Sequence, residues 1–205
     1  MDPAWLEWVK RLHAIAQTGL HYGGTEYDRL RYADLREIAT EMAAAGTGAP
    51  IETIRELFST GDGYATPRID VRAAVIENGR ILLVKERSDG AWAIPGGWAD
   101  VGDNPSLAAE REAREESGYE VRAVKLAALQ DRERHGHPPL IFHAWRAFFL
   151  CERIGGSAQS SLETDGAAFF APDALPPLSP GRTTVAQIEH MFEHHRNPGL
   201  PTSFD

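Results

Sequence analysis

Apolar residues recur at spacings of three and four along the first part of the chain. Trp5, Trp8, Val9, Leu12, Ile15 and Ala16 form one such stripe, the mark of an amphipathic helix. Asp2 followed by Pro3 predicts its start, a side-chain cap with proline at the first helical position. Gly19 predicts its end in a left-handed conformation. A second helix is predicted from about Glu26 to Ala45, with Leu35, Ile38 and Met42 on one face and Gly46 as its stop. Pro50 opens a third that carries Ile51, Ile54, Leu57 and Phe58. Three short helices hold little apolar area for independent stability. They are expected to pack on the rest of the chain or on a second copy of themselves. Ser59-Thr60-Gly61-Asp62-Gly63 reads as a linker, which gives a helical extension over 1–60 and a second domain over 66–205.

After the linker the period changes. Val71–Ile76 and Ile81–Val84 read as strands joined at Asn78-Gly79, because both central residues of a type I′ turn need positive φ. Ala91–Ile94 is a further short strand, ended by Pro95, Gly96 and Gly97. A helix is predicted from about Pro105 to Ser117, with Gly118 at its end. Strands follow at Val121–Asp131, Ile141–Cys151 and Ala167–Ala171, and Val185, Ile188, Met191 and Phe192 outline a last helix. Mixed strands interrupted by helices predict an α/β or α+β domain with helices packed on its sheet.

Composition narrows the function. The apolar fraction is 42% and the charged fraction 25%, an average globular mixture. Lys plus Arg is 21 and Asp plus Glu is 30, a formal net charge of -9. Nucleic acid and anionic membrane both repel such a chain, so neither is an expected partner, although a local basic groove stays open. Cys151 is the single cysteine, so no intrachain disulfide can form, and its apolar neighbours Phe148, Phe149 and Leu150 predict a buried thiol. No stretch approaches the ~20 apolar residues of a membrane helix. The first residues lack the basic and apolar regions of a signal peptide. A soluble cytoplasmic protein is expected.

The informative stretch is Gly96–Tyr119. A glycine-rich loop leads into a helix bearing Glu110, Glu112, Glu115 and Glu116. Glu112 and Glu116 are four apart and Glu115 is three from Glu112, so the three carboxylates project from one face. Like charges repel at that spacing, and the C-terminal half of a helix disfavours anions. Tolerance of both penalties points to a nearby cation. An all-oxygen site without His or Cys suits Mg²⁺ or Mn²⁺. Taken alone, Glu-Ala-Arg-Glu-Glu reads equally as a solvated surface helix. The preceding Pro95-Gly96-Gly97 favours the site, because it allows close backbone approach and aims a carbonyl at the acidic face.

Gly97, five residues, Asp103, seven residues, then Arg111-Glu112-Ala113-Arg114-Glu115-Glu116-Ser117-Gly118-Tyr119 matches the spacing of the Nudix box over 23 positions. That box reads G-x5-E-x7-R-E-U-x-E-E-x-G-U, with U a bulky apolar residue. Asp103 replaces the usual Glu, and Ala113 and Tyr119 stand at the apolar positions. The chain thus resembles the Nudix hydrolases, and the resemblance implies an α/β/α sandwich with a mixed sheet after a small N-terminal helical domain. It implies Glu112 and Glu116 as principal metal ligands, Glu115 as further ligand or water activator, the Gly96 carbonyl in the inner sphere, and Arg111 orienting the carboxylates. The implied reaction is Mg²⁺-dependent attack of water on a diphosphate to give two phosphorylated products. Family members often take another carboxylate from a later loop, for which Glu163 is the candidate. Ala14–Leu20, Tyr27-Asp28-Arg29, Asp70-Val71-Arg72, Asp131-Arg132 and Leu175–Ser179 with Arg182 are similar to a subgroup acting on X-linked nucleoside diphosphates. This puts CDP-choline first and ADP-ribose next as expected substrates.

Arg72, Lys85, Arg87 and Arg132 are candidate phosphate contacts, since guanidinium forks suit diphosphate oxygens. Trp98 and Tyr22 are candidates to stack on a base. His135-Gly136-His137 reads as a solvated loop rather than a metal site, and His190, His194 and His195 as surface residues. The helical extension is an expected dimerisation element or lid. Two rival readings stay open: a nucleotide-sensing domain without catalysis, against which all three helix glutamates stand, and an RNA pyrophosphohydrolase or exonuclease, against which the net charge stands.

Overall fold

The computed structural model describes residues 3–59, 61 and 63–205. The expected cap Asp2 and the linker residues Thr60 and Asp62 lie outside them. The chain divides into two compact units, Met1–Pro67 with Pro139–His143, and Arg68–Pro138 with Ala144–Asp205.

The first unit holds α1 (Ala4–Tyr22), α2 (Glu26–Thr47) and α3 (Ile51–Ser59). Pro3 precedes α1 rather than opening it, with its carbonyl accepting from the Leu6 N–H at 2.9 Å. Thr25 caps α2 by accepting from the Asp28 N–H. Val9, Ala39, Ala43, Ile54 and Phe58 form the core of this unit, with Ile141 packed against it. That packing explains why the apolar run from Ile141 is not yet strand.

Both expected helix stops are interior to their helices. A Cβ on Gly19 would lie 2.3 Å from the Tyr32 ring, and one on Gly46 would lie 2.6 Å from the Trp5 ring. Each glycine makes room for an aromatic face. α1 ends at Gly23, and α2 ends at Gly48 in the left-handed region at φ 73°. The buried face of α2 is Ala39, Thr40 and Ala43, while Ile38 is exposed. Small residues under rings replace the large apolar stripe expected there.

The second unit holds β1 (Arg68–Glu77), β2 (Arg80–Glu86), β3 (Trp92–Ala93), α4 (Pro105–Ser117), β4 (Tyr119–Asp131), β5 (Ala144–Gly156), β6 (Thr164–Phe170), α5 (Val185–Arg196) and β7 (Ser203–Phe204). The strand order is β3-β2-β1-β5-β4-β7, with β6 on β2. β1 and β5 run parallel, and the other neighbours of β2 and β5 are antiparallel. Asn78 and Gly79 both take positive φ, as the hairpin turn requires.

Strand side chains alternate between faces, so the sheet builds two cores. Ala74, Ile76, Phe148 and Leu150 face Ile188, Met191 and Phe192 of α5. Ala73, Val75, Ala147 and Phe149 face Ala108, Ala109 and Ala113 of α4. The alanines of α4 let that helix lie close to the sheet. The result is the expected helix–sheet–helix sandwich with a mixed sheet. Cys151 is buried, and burial pushes its thiol up to about 12.

Candidate active site

α4 starts at a cap made by Asn104, whose side chain accepts from the Ser106 N–H, with Pro105 in the first turn. It ends at Gly118 in the left-handed region. These boundaries set which carboxylates face the loop before it. Gly96 has φ 148°, and a Cβ there would lie 2.0 Å from the Val71 carbonyl oxygen, so only glycine lets this loop lie on β1. The Val71 N–H donates to the Gly97 carbonyl and the Ala73 N–H to the Pro95 carbonyl. Between them the Gly96 N–H donates to Glu116 Oε2 at 2.8 Å. The buried Gly96 has a carbonyl that accepts no hydrogen bond among the described residues.

The four expected box residues stand together. Arg111 donates to Glu112 Oε1 at 2.8 Å, to Glu115 Oε2 at 3.1 Å and to Asp103 Oδ2 at 3.0 Å. Asp103 therefore still reaches the arginine despite being one methylene shorter than Glu. Glu110 points elsewhere and accepts from the Ala123 N–H on β4. Glu116 is 5% exposed, and burial pushes its carboxyl up to about 7 against the pull of Arg72. Burial also raises Glu112, against the pull of Arg111, whereas the Glu115 side chain is half exposed.

Among the described residues, no three His, Cys, Asp or Glu side chains are already gathered closely enough to hold a metal ion. Glu112 and Glu115 are drawn onto Arg111 and Glu116 onto the Gly96 N–H. The donor chemistry nonetheless fits a hard divalent cation, with carboxylates on one helix face and the unpaired Gly96 carbonyl beside them.

The other expected residues spread over this unit. Arg72 is 2% exposed and spends its donors on Asp70, at 2.7 and 3.0 Å, and on the Ile94 carbonyl at 3.0 Å. Arg132 is buried and donates to the Pro138 and Gly181 carbonyls. Arg87 is half exposed and pairs with Asp165 at 2.9 Å. Trp98 is 44% exposed, with the Arg68 guanidinium 6.0 Å from its ring centroid. Glu163 is exposed on the turn before β6, where its carbonyl accepts from the Arg87 N–H.

Two groups escape the sequence reading. Glu86 ends β2 at 1% exposure, and burial raises its carboxyl against the pull of Arg182 and Arg72. Its signal was the alternation Leu82, Val84, Glu86 on one face. Asp70 faces Arg146 across β1 and β5 and accepts from it at 2.7 and 3.0 Å. Burial alone would raise Asp70, but Arg72 and Arg146 hold it below the usual carboxylate range.

Three histidine expectations need correction. His137 is buried, not solvated: its Nδ1–H donates to the Pro180 carbonyl and its Nε2 accepts from Arg146. Burial next to Arg146 lowers it to about 4. His135 bonds Asp205 through Nε2 at 3.1 Å, and His194 on α5 is 1% exposed.

The profile of a UDP-X-like, N-terminal oligomerisation domain matches residues 3–58, and that of the NUDIX domain matches residues 66–190. A Bacillus subtilis (strain 168) protein provisionally named an ADP-ribose pyrophosphatase, YjhB, is 41% identical over 98% of this chain and 97% of its own. A solved structure of a UDP-X diphosphatase is 32% identical over 98% of both chains, with a TM-score of 0.65. The crystal structure of an ADP-ribose pyrophosphatase from Streptococcus suis 89-1591 is 37% identical over 68% of this chain and 100% of that one, with a TM-score of 0.63. No described helix is long and apolar enough to cross a membrane. With the box arginine and glutamates on α4, the chain belongs to the Nudix hydrolases, enzymes that act on the acid anhydrides of phosphorus compounds.

Proposed function

We propose that this protein is a Mg²⁺-dependent pyrophosphohydrolase that cleaves the diphosphate link between a nucleoside and a second moiety. The observation that carries the reading is Glu112, Glu115 and Glu116 on one face of α4, facing a loop whose Gly96 carbonyl has no hydrogen bond among the described residues. Those four groups would hold the ion, as is general among Nudix hydrolases, which use divalent metals. When bound, such an ion neutralises phosphate charge and lowers the pKa of water. Arg111 keeps the carboxylates oriented, and Asp103 keeps Arg111 in place. Glu115, half exposed, and Glu163, exposed on its turn, are the carboxylates we read as candidates to accept the proton of the attacking water. Its oxygen joins one phosphorus as the bridging P–O bond breaks, which leaves a phosphate group on each product. Arg87 and Trp98 are accessible to substrate, whereas Arg72 and Arg132 are buried and spend their donors on Asp70 and on backbone carbonyls.

The relatives' names favour ADP-ribose and UDP-linked compounds, and CDP-choline rests on the sequence resemblance alone. A panel of these with Mg²⁺ and chromatographic identification of products tests the reading. ADP-ribose should give AMP and ribose 5-phosphate, and Glu116→Gln should lower kcat by about a thousandfold with the fold retained. Full activity in that variant, or inertness of wild type towards every diphosphate, refutes it.

The helical unit we read as a dimerisation element. Trp8, Ile15 and Tyr22, seven residues apart on α1, are 54%, 52% and 65% exposed. A second copy is the proposed cover, in keeping with the oligomerisation domain matched over residues 3–58.

A further inference from the structure

The loop between β6 and α5 carries Arg182, and hydrogen bonds tie down the polar groups on either side of it. The Ser179 hydroxyl donates to Asp89 at 2.7 Å, and the Ser179 N–H donates to the Trp92 carbonyl at 2.8 Å. The Pro180 carbonyl accepts from His137 at 2.8 Å. The Gly181 carbonyl accepts from Arg132 at 3.3 Å, and the Arg182 carbonyl from Arg146 at 2.6 Å. The Thr183 hydroxyl accepts from the Ile94 N–H at 2.9 Å. A surface loop held from below by two buried guanidiniums and a neutral imidazole is a rigid mount.

What that mount presents is one side chain. Arg182 Nε lies 3.1 Å from Glu86 Oε1, while the side chain is 32% exposed. Its two Nη nitrogens make no hydrogen bond to the described residues. Glu86 Oε1 in turn is buried and makes no aligned hydrogen bond. Glu86 also belongs to the neighbourhood of the box. It pairs with Thr164 across β2 and β6, and the Thr164 hydroxyl donates to the Glu116 carbonyl. A partly exposed guanidinium thus pairs through Nε with Glu86, the carboxylate whose charge also acts on Glu116.

We propose that Arg182 is a substrate-binding residue that grips the diphosphate through its Nη nitrogens, and that Glu86 is a positioning residue that sets the plane of its guanidinium. The inference rests on the pyrophosphohydrolase reading and adds to it a group that receives the phosphate charge. A guanidinium suits this task because two parallel N–H donors match two phosphate oxygens, a geometry that an ammonium lacks. The competing account is an ion pair that serves the fold alone by neutralising Glu86.

Titration calorimetry with ADP in the presence of Mg²⁺, and steady-state kinetics on the best substrate of the panel, separate the two accounts. Arg182→Gln should weaken ADP binding and raise KM by about tenfold, with kcat changed less than KM. Arg182→Lys should fall between wild type and Arg182→Gln, and it covers the case in which the glutamine variant folds poorly. In a double variant of Glu86→Gln with Arg182→Gln no buried charge is left unpaired. A fold-only ion pair would then restore KM, whereas a diphosphate grip leaves it raised. Equal ADP affinity in wild type and Arg182→Gln, restoration of KM in the double variant, or no measurable ADP affinity in wild type overturns the proposal. If wild type hydrolyses nothing in the panel yet loses ADP affinity on Arg182→Gln, the grip stands and the hydrolytic reading falls.

Discussion

The two units bury different kinds of residue. In the helical unit the described core is apolar: Leu6, Val9, Ala16, Ala39, Ala43, Ile54 and Phe58, with Thr40 the polar exception. The sheet unit buries Asp70, Arg72, Glu86, Glu116, Arg132, His137 and Arg146. Buried ion pairs are weak contributors to net stability but costly to break singly. The first unit therefore closes by letting rings lie on glycines, and it leaves large apolar side chains outside. The second spends interior volume on charges that hold two loops, Pro95-Gly96-Gly97 and Ser179–Thr183, in fixed places. Packing sets one unit, and polar wiring sets the other.

Removing one node of the wiring should have the largest effect. Asp70→Ala leaves the buried Arg72 and Arg146 without the carboxylate they both bond and should cost about 3–5 kcal/mol in chemical denaturation. A loss below 1 kcal/mol would mean that the charges do not hold the sheet unit together. The matching lesion in the helical unit is Gly19→Ala. Crowding of Tyr32 should cost about 1–3 kcal/mol, offset by about 1 kcal/mol of helix propensity. Pairing it with Tyr32→Ala should recover the crowding term, and no recovery would show that the ring is not the obstacle.

Replacing Trp8 and Ile15 by glutamate should halve the particle mass in light scattering while the helical content stays the same. An unchanged mass would remove α1 from the interface. The comparison also bears on pH. Burial holds both His13 and His137 neutral in the fold, lowered to about 4. Ionisation then favours the unfolded chain, so stability should fall as pH drops from about 6.5 towards 4. His137→Asn should flatten that slope in thermal melts. An equal slope in the variant would assign the effect to other groups.

Legibility divides along the same line. The box was readable because Arg111, Glu112, Glu115 and Glu116 lie within two helical turns, where spacing alone dictates the face. The turn at Asn78-Gly79 was readable for the same local reason. Gly19 and Gly46 misled because their partners, Tyr32 and Trp5, come from another helix. Glu86, His137 and His194 escaped because their burial depends on strands and loops far along the chain. Asp70 and Arg146 could not be matched without the parallel register that sets them side by side.

That register has a consequence for how the chain reaches its native state. Asp70 and Arg146 are 76 positions apart in sequence, so β1 and β5 meet only after a long loop has closed, an intrinsically slow event. A slip of one residue would turn Asp70 to the opposite face of the sheet and strand its charge among the alanines under α4. The salt link that steadies the finished molecule therefore also proofreads assembly, because misaligned strand pairs forfeit it.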